Sequence, residues 1–404
     1  MILSFEQALA TVREKITLAK LVPSSELVSH NCARGRVLAE EVLADRDYPP
    51  FHRATRDGFA IRSQDLKSIP AELHLVGEVR AGERFEKELA PGQTVEIMTG
   101  APLPEGADAV VMVEHSEAAG TRVRVSRAVA ALENVVRQGS EARAGDAVLR
   151  RGRRLGPSEI GLLATVGRES VSVFRKPRVA VLPTGDEVVP VGVEPQPHQI
   201  RNSSASVLAA QAEAAGAAPW VVGIALDRKD ELRRLIEQAL EADLLVVTGG
   251  VSMGKYDFVK PVLTELGAEF YFQGAAIRPG KPVVFGRARG KFFFGLPGNP
   301  VSSMVTFELF VRPAIGMLGG AEPEPRVFLR ARLAKPFRHK TGLTQFLPAR
   351  VEVKQGEPVV EPVAWQGSGD WVGVAAANCF LVVHPDQSDL AAGDPVDVWP
   401  KAWI

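Results

Sequence analysis

The segment from residue 178 to residue 250 constrains the fold more than any other part of the chain. Three short apolar runs in it have the length of buried strands: RVAVLP, PWVVGIAL and DLLVVTGG. Between them lie two helical runs, SSASVLAAQAEAAG and KDELRRLIEQALEAD, and the second places Leu232, Leu235 and Leu240 on one face. Strands that alternate with helices over this length predict a parallel sheet with helices on both faces.

The residue patterns on either side of this segment differ from the pattern within it. At the N-terminus, Ser4 and Gln7 have the spacing of a capping box, which predicts a helix. Residues 45–136 form short alternating runs such as LHLVGEV and TVEIM, which indicate β structure. Helical patterns return at GPSEIGLLATVG and after Pro300, and the tail from about Glu322 reads as β structure again. We therefore predict a multidomain protein of α/β and β parts.

The composition excludes several classes of protein. A chain of 404 residues is too long for one compact core. Lysine plus arginine and aspartate plus glutamate number 48 each, so no net field favours nucleic acid or an anionic membrane. We expect no targeting segment and no run long enough to span a bilayer. The two cysteines, Cys32 and Cys379, indicate free thiols in a reducing, cytoplasmic setting, and the scattered histidines indicate no structural zinc.

Polar and charged residues gather where the predicted strands end. Ligands of open parallel sheets bind at the carboxyl ends of the strands. Four acidic and four basic groups meet at this rim if the strand order is ordinary. The rim residues are Thr184, Gly185, Asp186, Glu187, Asp227, Gly249, Gly250, Ser252, Gly254, Lys255, Asp257, Lys260, Arg278 and Lys281.

The make-up of this rim predicts a phosphorylated ligand and a divalent cation. Glycine-rich turns let backbone amides approach a phosphate, and lysine adds positive charge. Carboxylates in the same place would repel the phosphate unless a cation such as Mg²⁺ bridges them. A single charge after a strand is more often a solvated loop residue, so the prediction depends on the whole set.

Other motifs have two interpretations. In LPGNP, Asn299 and Pro300 suit the cap and first position of a helix, and the same helix start could hold an anion. Spacing alone makes RDGFA, with Asp57, and IMTGAPLPEGADAV, with Thr99, more typical of structural turns than of catalytic ones.

Six spaced motifs resemble those of the MoeA/gephyrin E-domain family. They are TRDGFAIR, MTGAPLPEGADAVVMVE, PTGDEVV, VTGGVSMGKYDFVK, RPGKP and GLPGNPVSS, in the family's order and spacing. The similarity covers essentially the whole chain, including GSGDWVGVAAAN near the C-terminus. Members of this family are molybdopterin molybdenumtransferases, which insert molybdate into adenylyl-molybdopterin and release AMP.

The resemblance implies a domain organisation, an assembly and partners. The implied domains are a helical linking domain (1–44 and 140–174), an inserted β domain (45–139), an α/β molybdopterin-binding domain (175–321) and a C-terminal β-barrel domain (322–404). The implied assembly is a cytoplasmic homodimer that uses Mg²⁺, with adenylyl-molybdopterin and molybdate as substrates. The expected partners are the molybdopterin adenylyltransferase and other cofactor-biosynthesis proteins, without nucleic acid or membrane.

The resemblance also assigns site residues. The residues implied as catalytic are Asp57, Thr99, Glu187, Asp227 and Asp257, of which Asp227 and Asp257 would hold the metal. The residues implied to bind the cofactor are Thr184, Gly249, Gly250, Ser252, Gly254, Arg278, Lys281, Pro297, Pro300 and Ser368.

The chain departs from the family pattern in several places. Thr55 and Arg56 replace the usual Ala-Met pair before the DGF run, and Ser204 replaces an asparagine. Gly274 stands where a basic residue is common, and Arg278 where lysine is common. These changes leave the carboxylates intact and leave open how tightly a ligand is held.

Two other functions fit parts of the pattern. A scaffold that keeps the fold and the pocket without catalysis would need no intact carboxylate set, and here the set is complete. An adenylyltransferase that activates molybdopterin would lack the DGF and MTGAP motifs, and here both are present. The sequence does not separate molybdate from tungstate.

Overall fold

In the computed structural model, which describes residues 2–250, 257–323, 325, 327–338 and 342–401, three stretches of chain build successive groups of strands and helices. The first stretch contains α1 (Phe5–Leu18), β1 (Ser25–Ser29), β2 (Val42–Leu43), β3 (Arg53–Ala54), β4 (Gly58–Ile61), β5 (Ala71–Val79), β6 (Gln93–Ile97), β7 (Ala109–Met112), β8 (Ser116–Ala119), β9 (Arg122–Val125), β10 (Val135–Val136), β11 (Ala147–Leu149), α2 (Pro157–Thr165) and β12 (Ser170–Phe174).

The second and third stretches continue the numbering. The second contains β13 (Arg178–Pro183), β14 (Val188–Val189), β15 (Ile200–Arg201), α3 (Ser203–Ala214), β16 (Ala218–Val221), α4 (Lys229–Ala239), β17 (Leu244–Thr248), α5 (Val259–Glu265), β18 (Glu269–Phe272), β19 (Ile277–Arg278), β20 (Val284–Ala288), β21 (Lys291–Leu296), α6 (Pro300–Thr306) and α7 (Arg312–Leu318). The third contains β22 (Leu329–Leu333), β23 (Phe337–Arg338), β24 (Thr344–Lys354), β25 (Glu357–Pro362), α8 (Trp371–Ala376), β26 (Cys379–Val383), β27 (Asp389–Leu390) and β28 (Pro395–Pro400).

The second stretch forms a sheet with the strand order β16-β13-β17-β21-β20-β18. The first four strands are parallel: Val179 pairs with Leu244, which pairs with Phe292. Alternate side chains of β13 enter two cores, one shared with α1, α3, α6 and α7 and the other with α4 and α5. The predicted parallel sheet with helices on both faces is therefore confirmed. The antiparallel strands β18 and β20 at one edge were not predicted.

The N-terminal helix α1 begins at the capping box that the sequence predicts, with Ser4 Oγ accepting from Gln7 N at 3.1 Å. Its buried face packs into the core of the central sheet, where the Phe5 ring lies 6.0 Å from Phe310 and 5.5 Å from Phe346 between centroids. The helix thereby joins the first residues of the chain to a core built from much later ones.

Two further groups of strands complete the first stretch. Residues 25–43 pair with residues 147–174, through β1 with β12 and β2 with β11, and α2 packs on the same core. Between these segments lies a separate sheet in the order β7-β4-β6-β5-β9-β8, with the pair β3-β10 beside it. The β structure predicted for residues 45–136 is confirmed.

The third stretch forms a closed five-stranded barrel. Its strands follow one another in the order β24-β25-β22-β28-β26, and β26 pairs back with β24. The short strand β19 adds to β24 from outside the ring, and Thr344 N donates to Ala276 O at 3.0 Å. The barrel is thus joined to the second stretch of the chain by main-chain hydrogen bonds.

One helical stretch has the length and hydropathy of a membrane span, which differs from the sequence expectation. It runs from Pro300 to Leu318 and includes a π-helical segment, Phe307–Val311. About 78% of its apolar window is buried inside the protein, and it contains the ion pair of buried Glu308 with half-buried Arg312. Its apolar composition is therefore accounted for by burial in the core.

Candidate functional site

A cavity of about 480 Å³ lies at the carboxyl edge of the central sheet. Three neighbouring strands, β13, β17 and β21, end at it, and the first turns of α3 and α6 form its sides. The residues that line it are Pro183, Thr184, Gly185, Glu187, Val188, Ile200, Arg201, Asn202, Ser203, Ser204, Asp227, Thr248, Gly249, Gly250, Asp257, Pro282, Pro297, Gly298, Asn299 and Pro300. The cavity therefore occupies the edge at which the sequence predicts ligand binding.

The predicted acidic groups come together at this cavity. Glu187, Asp227 and Asp257 line it, and Asp186 Oδ1 accepts from the backbone N of Asp227 at 3.0 Å. Burial raises the pKa of the Asp227 carboxyl, and the charges of Asp186, Glu187 and Asp257 raise it further. The site thus concentrates negative charge that a proton or a cation would relieve.

The carboxylate oxygens at the cavity suit a cation that takes only some of its coordinating ligands from the protein. Within the described residues, no group of three or more His, Cys, Asp or Glu side chains has the arrangement of a metal site. Asp227 and Asp257 nevertheless face one cavity, and Mg²⁺ is commonly held by one or two carboxylates together with waters and phosphate oxygens. The pair suits such a hydrated ion better than a fully protein-bound one.

A glycine turn follows β17 at the base of the cavity. Gly249 has φ +85°, and a Cβ on it would lie 2.6 Å from Thr184 Oγ1 and 2.9 Å from Thr184 O. Gly250 has φ +63°, and a Cβ on it would lie 2.7 Å from a methyl group of Val259. Only glycine fits both positions without displacement, which brings bare backbone to the cavity wall. Ser252, Gly254 and Lys255 of the same predicted loop lie outside the described residues.

The LPGNP motif lies beside this turn, since Gly249 N donates to Leu296 O at 3.1 Å. Pro297 and Pro300 both line the cavity, as does the exposed Asn299. Asn299 occupies the N-cap of α6, but its side chain makes no capping hydrogen bond. The interpretation of Asn299 as a side-chain cap is therefore not supported by its contacts.

Three predicted cofactor-binding residues do not line the cavity. Arg278 and Lys281 are exposed, and Arg278 belongs to β19, which pairs with the barrel rather than with the central sheet. Ser368 is close by, since its carbonyl oxygen accepts from Val301 N at 3.0 Å at the start of α6.

Sequence reasoning missed the only arginine or lysine among the described lining residues. This residue is Arg201, which ends β15. It reaches the cavity because Val188 pairs with Ile200, a parallel pairing that brings a distant segment beside Glu187. The Asn202 that follows caps α3, its Oδ1 accepting from Ala205 N at 3.0 Å. A basic residue directly before a helix cap was the signal available in the sequence.

The two predicted residues of the inserted sheet contact each other. Asp57 Oδ1 accepts from Thr99 N at 2.6 Å and from Thr99 Oγ1 at 2.8 Å. The backbone hydrogen bond, followed by the side-chain one, lowers the pKa of the Asp57 carboxyl. Neither residue lines the cavity of its own chain. The structure therefore separates the predicted catalytic set into two groups.

Comparison with known proteins covers most of the chain. Family descriptions match in order: "MoeA N-terminal region (domain I and II)" at residues 3–167, "Probable molybdopterin binding domain" at 180–316 and "MoeA C-terminal region (domain IV)" at 330–401. A molybdopterin molybdenumtransferase of Staphylococcus epidermidis is 36% identical over 369 residues, which is 90% of this chain and 88% of that protein. One of Bacillus subtilis is 37% identical over 372 residues, covering 90% and 86%.

Solved structures agree in fold. A molybdopterin biosynthesis MoeA protein of Pyrococcus horikoshii superposes with a TM-score of 0.81 at 28% identity, covering 99% of this chain and all of that one. A second MoeA structure from the same genus gives a TM-score of 0.76 at 33% identity over the whole of both chains.

Proposed function

This chain belongs to the MoeA family of molybdopterin molybdenumtransferases, and from that premise we propose that it inserts molybdate into adenylyl-molybdopterin, releasing AMP and forming molybdenum cofactor. The observation that carries this proposal is the carboxyl-edge cavity, which lies within the match to the molybdopterin-binding domain. It combines a glycine turn, one arginine and a group of carboxylates, which suits a phosphorylated ligand.

We propose that this chain's residues act mainly by binding and positioning. The backbone at Gly249 and Gly250 and the side chain of Arg201 hold the phosphate oxygens of the substrate. Glu187 accepts or delivers a proton beside the reacting phosphate. Positioning of this kind needs no covalent nucleophile, because the two substrates are held together in a defined geometry.

The direct test is product formation by the full chain. Incubation with adenylyl-molybdopterin and molybdate should release AMP in proportion to the cofactor formed, as chromatography of both products would report. A parallel reaction with tungstate tests the metal preference. A third with molybdopterin and ATP tests for an adenylyltransferase, which would release pyrophosphate. If the folded protein releases AMP with neither molybdate nor tungstate, the proposed transferase activity is excluded.

We further propose that Asp227 and Asp257 hold Mg²⁺. When bound, Mg²⁺ neutralises charge on the phosphate oxygens and favours departure of the adenylyl group. The raised pKa of Asp227 supports this assignment, because carboxylates crowded in one cavity favour a proton or a cation. Asp257→Asn should need more Mg²⁺ for AMP release, whereas Asp230→Asn, an exposed carboxylate on α4, should not. Wild-type activity that survives thorough chelation would contradict the assignment.

We propose that the active protein is a homodimer whose site is shared. Asp57 and Thr99 do not reach the cavity of their own chain, which supports their completing the cavity of a partner chain.

The molybdopterin adenylyltransferase, which would supply the substrate, is the proposed functional partner. A cytoplasmic location is consistent with the two free cysteines, the exposed Cys32 and the buried Cys379. Sedimentation and cell fractionation test these assignments.

We also propose the domain division predicted from the sequence. Separate apolar cores in residues 33–173, 54–135 and 331–398, beside the cores of the central sheet, support it. Within this division α1 acts as a connecting element, since it packs on the core of the α/β domain. Limited proteolysis should release fragments that end near residues 45, 139, 175 and 322. Cleavage concentrated inside the proposed domains would argue for another division.

A further inference from the structure

The segment from Ser368 to Trp371, the first residue of α8, contacts both helices that form the sides of the cavity. Trp371 Nε1 donates to Ser203 Oγ at 3.1 Å, at the first residue of α3. Three residues earlier, Ser368 O accepts from Val301 N at 3.0 Å, in the first turn of α6. The C-terminal stretch therefore reaches the cavity wall through two defined hydrogen bonds.

Helix α8, which carries Trp371, is fixed at both of its ends. Asp370 caps the start: its Oδ1 accepts from Gly373 N at 3.0 Å and its Oδ2 from Gln366 N at 2.9 Å. These backbone donors lower the pKa of the Asp370 carboxyl. At the other end, the amine of Lys401, whose residue is only 6% exposed, donates to the carbonyl oxygens of Val374 and Ala377. The indole is thus presented from a rigid turn of helix.

The Trp371 contact also decides what the Ser203 hydroxyl can do. An indole N–H donates and cannot accept, so Ser203 Oγ must be the acceptor in this pair. The hydroxyl proton of Ser203 is then left for another acceptor. Ser203 lines the cavity together with Asn202 and Ser204. A hydroxyl that is held in this way can donate to an anionic oxygen of a ligand in the cavity.

We propose that Trp371 is a positioning residue: by donating to Ser203 Oγ it orients the Ser203 hydroxyl toward an oxyanion of the substrate. The inference rests on the proposed function for the identity of that substrate. The anionic oxygen could belong to the adenylyl phosphate or to molybdate, and both share the chemistry of a hydrogen-bond acceptor. Through Trp371 the third stretch of the chain thus affects ligand binding in a cavity at the edge of the central sheet.

A double-mutant cycle on the full chain tests the proposal. Trp371→Phe removes the N–H and keeps a ring, and Ser203→Ala removes the hydroxyl. Each should weaken binding of the relevant oxyanion about 2- to 10-fold, the effect of one hydrogen bond. The double variant should bind no more weakly than Ser203→Ala alone. Trp365→Phe is the matched control, because Trp365 is half-buried beside the same core.

The probes are AMP and molybdate, titrated separately by calorimetry. Loss in the AMP titration assigns the hydroxyl to the phosphate, and loss in the molybdate titration assigns it to the oxyanion substrate. Unchanged binding of both probes by Trp371→Phe, or effects that add in the double variant, would overturn the proposal, as would a wild type that binds neither. If Trp371→Phe folds poorly, Ser203→Ala replaces it as the test, and we expect the same loss of binding. A wild type that binds AMP yet releases none from adenylyl-molybdopterin contradicts the proposed function alone.

Discussion

The glycine turn after β17 yields a prediction whose size follows from the geometry of the turn. We expect Gly249→Ala to destabilise the central sheet. The residue has φ +85°, where an alanine costs about 1–2 kcal/mol. The new methyl would also lie 2.6 Å from Thr184 Oγ1 and 2.9 Å from Thr184 O. The hydroxyl can rotate away, but the carbonyl oxygen belongs to backbone that is hydrogen-bonded to β17.

The overlap with Thr184 O adds to the conformational cost of Gly249→Ala. Relief of such an overlap by small backbone shifts costs typically about 1–3 kcal/mol. Alanine also restricts the unfolded chain, which offsets about 0.4–1 kcal/mol. The net loss in the opening free energy of the sheet should therefore be about 1–5 kcal/mol. We expect AMP release to fall as well, since the turn forms the cavity base.

Hydrogen exchange is the suitable assay, because a chain with several cores need not unfold in one transition. Peptides that span β17 should lose protection in Gly249→Ala. The matched control is Gly267→Ala, which has φ +77° and nothing within 4 Å of a new Cβ, so it carries the strain without the overlap. The loss of opening free energy in Gly267→Ala should be smaller than that in Gly249→Ala by the cost of the overlap with Thr184 O. Equal losses in the two variants, or none in Gly249→Ala, would refute the steric argument.

Three other outcomes are expected. Mixing Thr99→Ala chains with Asp257→Ala chains should restore part of the AMP release, since some mixed dimers contain one complete site; a mixture no better than either variant contradicts a shared site. Asp227→Asn should raise stability at neutral pH, because the folded state raises the pKa of Asp227 and so disfavours its charge. This advantage should shrink as pH falls from the raised pKa toward the ordinary value, and melting curves that show no such convergence contradict it. Arg312→Leu should destabilise the helical stretch by about 1–3 kcal/mol, because it removes the charged partner of Glu308, which is 2% exposed, while the hydrogen bond from Gln211 Nε2 to Glu308 Oε1 at 2.7 Å remains; hydrogen exchange of peptides that span residues 300–318 measures this, and unchanged protection would contradict it.

The central sheet was predictable because its strands are buried on both faces. Such strands are continuous apolar runs, as in RVAVLP and DLLVVTGG, and helices of the expected period separate them. The antiparallel strands β18 and β20 were missed because β20 and β21 join by a tight turn at Arg289 and Gly290, with no helix between them. The sequence also predicts α1, but its period does not reveal which core the helix enters.

The candidate site was predictable where the rule of the carboxyl edge applies. That rule brings Glu187, Asp227 and Asp257 to one cavity, as the structure does. It fails for Arg278 because β19 pairs with the barrel strand β24, so its end is not an end of the central sheet. Arg201 was missed because a two-residue parallel pairing, which leaves no period in the sequence, brings it to the cavity.

The pairing of β1 with β12 has a consequence for synthesis on the ribosome. Ser25 pairs with Phe174, so the early segment cannot complete its ladder until some 150 further residues have been made. The inserted sheet needs only the strands between residues 58 and 125, and it can therefore close while its parent unit is still open. The helix α1 cannot complete its packing until much later, because the Phe5 ring packs against Phe310 and Phe346. An element that is made well before its partners is thus buried late, because its apolar face has no complete core to enter until those residues have been made.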